Sequence, residues 1–235
     1  MSLTSAATSP ATPAVTMTGR QLRDLTGSVL NHVATGRWQV PLLTMVQVEV
    51  SHNVLHLIAT DTYTLAVARH PLDGPGGDLT LHIPATTLTA VARTIRVRDQ
   101  VRLSLTPQAL ILDRCPAPEL PSCIPDPELT YRIPAVESQA PLPWRKHVAK
   151  ALHRPPNATV EHPLAIRNAF LARFQTAAFT GQPLQLHPPG SHKQPILITS
   201  GPHFLGLLMP IGLDDRADQA TELTPWTTLC PANAA

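Results

Sequence analysis

The side chains of this 235-residue chain that could move protons or hold a metal are 11 histidines, 16 acidic residues and three cysteines. His187 and His192 are near neighbours in sequence, yet the Pro-Pro-Gly-Ser segment between them fixes no ligand geometry, so they are expected to be exposed turn residues. Cys115, Cys123 and Cys230 are odd in number and form no CxxC pair, which speaks against a zinc site or a disulfide framework. The acids are scattered singly instead of paired for acid-base work, and no nucleophile elbow, phosphate-binding glycine loop or HExxH segment occurs. No catalytic residue, metal or cofactor is therefore expected, and the chain reads as non-enzymatic. Asn157-Ala158-Thr159 has the spacing of a glycosylation acceptor, which a cytoplasmic chain would leave unmodified.

Binding chemistry is better represented. The formal charge is only +2, but Arg20, Arg23, Arg93, Arg167 and Arg173 all fall on three predicted helices. Attraction to the phosphates of duplex DNA needs positive potential and no base-reading geometry, so such helices could face DNA. An ordinary solvated helix face would look the same. Aromatic residues at 4% leave little scope for stacking on single strands.

The elements that would position these residues follow from periodicity. A hydrophobic content of 43% supports a real core, and 26 prolines keep helices short. The longest uncharged apolar stretch, around 204–213, is far below the roughly 18 residues needed to cross a bilayer. With no secretory leader in view, a cytoplasmic location is expected. Residues 1–13 and 214–235 lack hydrophobic periodicity and read as disordered tails.

Between the tails one pattern recurs three times: a strand, a helix of about three turns, then three strands. The first copy has a strand at 15–17, a helix with Leu22, Leu25, Val29 and Val33 on one face, and strands at 45–50, 54–60 and 63–68. The second has a strand at 79–83, a helix carrying Leu88, Val91, Ala92 and Ile95, and strands at 101–105, 109–113 and 129–133. A third has a strand at 159–161, a helix with Ile166, Phe170 and Phe174, and strands at 184–186, 196–199 and 204–209. A proline-bearing connector over 137–157 carries the basic stretch Arg145-Lys146-His147. The fold class expected is α+β, with antiparallel sheets and helices packed on one face.

Several segments, in order, resemble the bacterial DNA sliding clamp, the β subunit of the replicative polymerase. Ala59-Thr60-Asp61 with Leu65-Ala66-Val67 and Pro71-Leu72 is similar to the clamp's strand pair and turn. Ile83-Pro84-Ala85 resembles the entry into a clamp helix, and Leu142-Pro143-Trp144-Arg145 resembles the junction between the middle and last domains. Pro195-Ile196-Leu197-Ile198 and Leu207-Leu208-Met209-Pro210-Ile211 look like the clamp C-terminus. The resemblance implies βαβββ units shortened to about one and a half domains: a clamp-like domain of two units over 14–157 and a C-terminal half domain over 158–213. Gly212 stands where the family has a basic residue.

The resemblance also implies a site. In the family, partner proteins insert a linear peptide between the middle and last domains, and the matching positions here are Val40, Leu43, Thr60, Leu65, Leu207, Met209 and Pro210. All are apolar or small, which core positions also are. The implied function is a clamp-like protein that binds clamp-interaction peptides of DNA polymerases or repair proteins, with duplex DNA as a further partner. A half domain without its other half leaves an open edge, so a homo-oligomer is expected in which the third unit packs on a second chain. The alternative is a clamp-fold regulator or ligand sensor that does not encircle DNA.

Overall fold

Strand β1 (Ala14–Thr18) alternates, burying Val15 and Met17. It passes directly into α1 (Gly19–Leu30) through a capping box, in which the Thr18 hydroxyl accepts from the Gln21 amide and the Gln21 side chain accepts from the Thr18 amide. Helix α1 buries Leu22, Leu25 and Val29 and exposes Arg20 and Arg23. Val33, expected on that face, lies past the helix end and packs on the same core. The computed structural model describes residues 12–35, 40–115, 129–136, 140–153, 164–177, 181–191 and 193–211. Nearly all of both expected tails, and the expected strand at 159–161, lie outside these residues.

A meander follows: β2 (Met45–Ser51), β3 (Val54–Thr60) and β4 (Thr64–Pro71). His52 and Asn53 take φ of 53° and 58° at the first hairpin, the left-handed pair that matches strand twist. The second copy comprises β5 (Leu79–Pro84), α2 (Ala85–Thr94), β6 (Gln100–Thr106), β7 (Ala109–Cys115) and β8 (Thr130–Pro134). After it come α3 (Trp144–Leu152), α4 (Asn168–Leu171), β9 (Gln185–His187), β10 (Ile196–Ser200) and β11 (Phe204–Leu208).

The first two copies exchange their opening strands. β1 joins β6-β7-β8 in a four-stranded sheet, while β5 joins β2-β3-β4 in a sheet that continues through β11-β10-β9 to seven strands. All pairings are antiparallel, and Leu207 of β11 lies opposite Leu65 of β4. Both sheets and the packed pair α1 and α2 share one apolar core, which includes Val46, Val48, Leu57, Leu103 and Leu112.

Three features differ from the sequence expectation. The third helix is only the four residues of α4, continued by a 3-10 turn over Ala172–Thr176. The 137–157 connector contains α3, whose Val148 and Ala151 pack with Ile58, Leu65, Val67, Leu197 and Leu207 on the sheet face opposite α1. The alternation of strand side chains separates these residues from Leu57, Ala66 and Ile198, which face the main core. Finally, the third unit extends the first unit's sheet within the same chain, with β11 paired to β4 and β9 at the end of the sheet.

Candidate functional site

The Ala59-Thr60-Asp61 segment builds a tight turn between β3 and β4. Asp61 Oδ1 accepts from the amides of Tyr63 and Thr64 and from the Thr64 hydroxyl. The Thr60 hydroxyl donates to the Thr64 carbonyl at 2.7 Å and accepts from the Thr62 amide at 3.1 Å. These bonds hold Thr62 at φ of 78°, a conformation β-branched residues rarely adopt. Asp61 also receives Arg173 from the 3-10 turn after α4, with only 8% of its side chain exposed. Arg173 also donates to the Thr64 hydroxyl. One carboxylate thus fixes the turn and ties the C-terminal unit to it.

Beside this tie the seam is apolar. Phe174 is fully buried, edge-on to His32 and Phe204. Gly206 of β11 leaves the space that the Phe174 ring occupies, since a Cβ there would overlap Phe174 Cε1. Burial, with a contribution from the nearby Arg173 charge, pushes His32 down to about 4, so the imidazole is neutral in the folded protein.

Helix α3 is pinned by the outward stripe of β2. Gln47 accepts from the Leu142 amide at 2.7 Å, Glu49 accepts from the Trp144 indole at 3.0 Å and pairs with Arg145, and Arg145 also donates to Ser51. Burial opposes the Glu49 charge, yet the Trp144 and Arg145 hydrogen bonds outweigh it and hold the carboxyl below its ordinary range. The sequence signal for this anchor was the alternation of Gln47, Glu49 and Ser51 with buried valines, a polar stripe that needs polar partners when covered.

Between the β3–β4 turn, α3 and β11 lies an apolar cavity of about 450 Å³. Of the seven positions that the family resemblance picks out, Leu43, Thr60, Leu65, Leu207 and Met209 line it. Val40 does not and is 57% exposed, while Pro210 is buried outside the lining. Sequence reasoning missed the α3 wall, Trp144, His147 and Lys150, and the opposite rim at Lys193 and Pro195. A helix at 144–152 was the missing step, because without it these residues have no common face.

No protein-family model and no curated protein matches the sequence. Solved structures do. The DNA polymerase sliding clamp from Bacillus subtilis superposes with a TM-score of 0.62 at 15% identity, over 89% of this chain and 68% of that one. The chain has the sliding-clamp fold. The clamp from Pseudomonas aeruginosa, solved with a ligand, gives 0.64 at 12% identity over 90% and 69% of the two chains. The β subunit from the DNA polymerase of Streptococcus pyogenes gives 0.62 at 12% over 91% and 68%. This clamp-fold chain therefore spans about two thirds of their length.

The five arginines divide. Arg20 and Arg23 on α1 and Arg93 on α2 are exposed, and the Arg23 guanidinium reaches the Arg93 carbonyl at 3.5 Å, which places the two helices' basic residues together. Arg96 and Arg98, just past α2, are exposed as well. Arg173 corrects the expectation: it faces Asp61, because an aspartate buried beside it offers a stronger partner than water. Arg167 is exposed but precedes α4, its guanidinium over the Phe170 ring. His187 meets the Thr199 hydroxyl at 3.1 Å, and His192 lies outside the described residues. No described helix is long and apolar enough to cross a membrane.

Proposed function

We propose that this chain is a non-enzymatic docking protein of clamp type, whose 450 Å³ cavity receives the apolar end of linear peptides carried by replication or repair proteins. The observation that carries the reading is the convergence of Leu43, Thr60, Leu65, Leu207 and Met209, from four separate segments, on one cavity that Trp144 closes. Cavities of this size and apolarity suit a few side chains of a peptide, and a flexible methionine adapts to varied partners. The exposed Arg20, Arg23 and Arg93 would add attraction to duplex DNA.

Met209→Glu tests the reading. A charge buried against a bound apolar side chain costs several kcal/mol, a large part of the roughly 8 kcal/mol in a micromolar complex. Met209 is half-buried, so the variant should melt cooperatively near the parent temperature while losing a fluorescein-labelled polymerase clamp-binding peptide. A folded variant that binds unchanged removes the cavity from the function.

The second reading, a regulator whose cavity takes a small molecule, is favoured by the cavity's apolar lining, and one clamp of this fold from Pseudomonas aeruginosa is solved bound to griselimycin. Native mass spectrometry of the purified chain separates the two: a retained small molecule supports the sensor, and an empty cavity that binds peptide supports docking. Among the described strands β1, β5, β8 and β9 end the two sheets, and these are the edges on which a homo-oligomer could pair.

A further inference from the structure

The chain has 15 arginines and only three lysines, Lys146, Lys150 and Lys193. Lys150 and Lys193 both line the cavity, one from α3 and one from the segment before β10. Lys146 stands one turn before Lys150 on α3, the spacing that puts two side chains on one helix face. All three are exposed. Two segments far apart in sequence thus bring two of the chain's three ammonium groups to one apolar opening.

The arginines do different work. Four ion pairs among the described residues use arginine: Arg20 with Asp24, Arg114 with Asp99, Arg145 with Glu49 and Arg173 with Asp61. The planar guanidinium fork suits fixed pairs, whereas an ammonium on a four-carbon stem is a mobile point charge that meets an acceptor in many geometries. Among the described residues no aspartate or glutamate lines the cavity beside Lys150 and Lys193. An apolar floor with two adaptable cations at its rim is complementary to an apolar anchor flanked by acids.

We propose that the lysine rim selects the occupant of this cavity: a linear peptide whose apolar anchor is accompanied by aspartate or glutamate. The inference rests on the peptide-docking reading and names the chemistry of its partner. The apolar anchor provides the binding, and the rim lysines discriminate between peptides that share the anchor. Each exposed pair adds little by itself, so the selection is modest and salt-dependent.

The test uses the full chain and two fluorescein-labelled synthetic dodecapeptides that share one apolar anchor of leucine and phenylalanine side chains. One carries three flanking aspartates, and its twin carries asparagines in their place. Fluorescence anisotropy should show the acidic peptide binding about fivefold more tightly at low salt, the gap closing near 0.5 M salt as screening removes exposed pairs. In the double variant Lys150→Gln and Lys193→Gln the ratio between the twins should fall to about one, whatever affinity the variant keeps for the asparagine twin. Both lysines are exposed, and circular dichroism confirms that the variant is folded. Equal binding of the twins to the parent chain overturns the selection and leaves peptide docking standing. A gap that survives the double variant overturns the role of the rim. Failure of both peptides to bind the folded parent chain overturns the docking reading itself.

Discussion

β4 and β8 hold the same place in two copies of one repeat, the last strand of a meander, and they meet opposite fates. β4 lies inside the seven-stranded sheet, with Leu65, Ala66, Val67 and Ala68 all buried and β11 along its free side. β8 ends the four-stranded sheet, and of its five residues only Ile133 is buried, while Thr130, Arg132 and Pro134 are exposed. A strand covered on both faces and both edges can be apolar throughout, whereas an open edge is safer with charge and proline. The cavity exists only at the covered place, because β11, α3 and the β3–β4 turn all meet there.

The comparison breaks most directly at the tie between Asp61 and Arg173, which has no counterpart at β8 among the described residues. Arg173→Met should leave the Asp61 carboxylate buried without its cation and cost about 3 to 5 kcal/mol. The expected result is a large drop in melting temperature together with lost peptide binding, since the same turn lines the cavity. A shift of under 2 °C would mean that the turn's own hydrogen bonds to Asp61 suffice.

His32 sharpens the contrast through pH. Its folded value of about 4 lies below the ordinary 6.5, so the unfolded chain takes up the proton first. The stabilisation is complete above 6.5 and is lost as pH falls from there toward 4, amounting to about 3 kcal/mol at 1.36 kcal/mol per pH unit. Urea unfolding between pH 7 and 4 should show this slope, and His32→Phe should flatten it. An unchanged slope in that variant would assign the dependence to other groups.

Gly206→Ala acts on the same seam by overpacking. The added methyl overlaps Phe174, and displacing a fully buried ring should cost about 1 to 3 kcal/mol. Phe174→Leu in the same chain should recover part of that loss, which double-mutant melts would reveal as non-additivity.

Much of this architecture is legible in the residues, because period-2 runs and the Leu22, Leu25, Val29 spacing report burial directly. The β-strands of all three copies that lie in described residues fall within a few positions of their expected places. What was not legible has identifiable causes. Helix α3 starts after Pro143 without a side-chain cap and contains three cations, so its apolar face is reduced to Val148 and Ala151. Arg173 looks like any surface arginine until the chain brings Asp61, 112 residues earlier, against it. The cavity's first wall could be drawn from resemblance in the β3–β4 and β11 segments, whereas the second wall depends on α3.

The smallest expected effect on stability falls on β8, and it probes the edge itself. Arg132 and Pro134 are exposed and contribute little packing, so replacing both by valine should change stability by only about 0.5 kcal/mol. Association is another matter. Proline offers no amide to an incoming strand, and the Arg132 side chains of two copies would repel each other in an antiparallel pair, so both residues oppose edge-to-edge contact. The valine variant presents a β-branched edge with one more free amide, a better template for a second copy. Light scattering at micromolar concentration should therefore show the variant associating more strongly than the parent, at nearly equal melting temperature. If the two associate equally, Arg132 and Pro134 do not guard β8, and the difference between the two strands is one of neighbours and not of sequence.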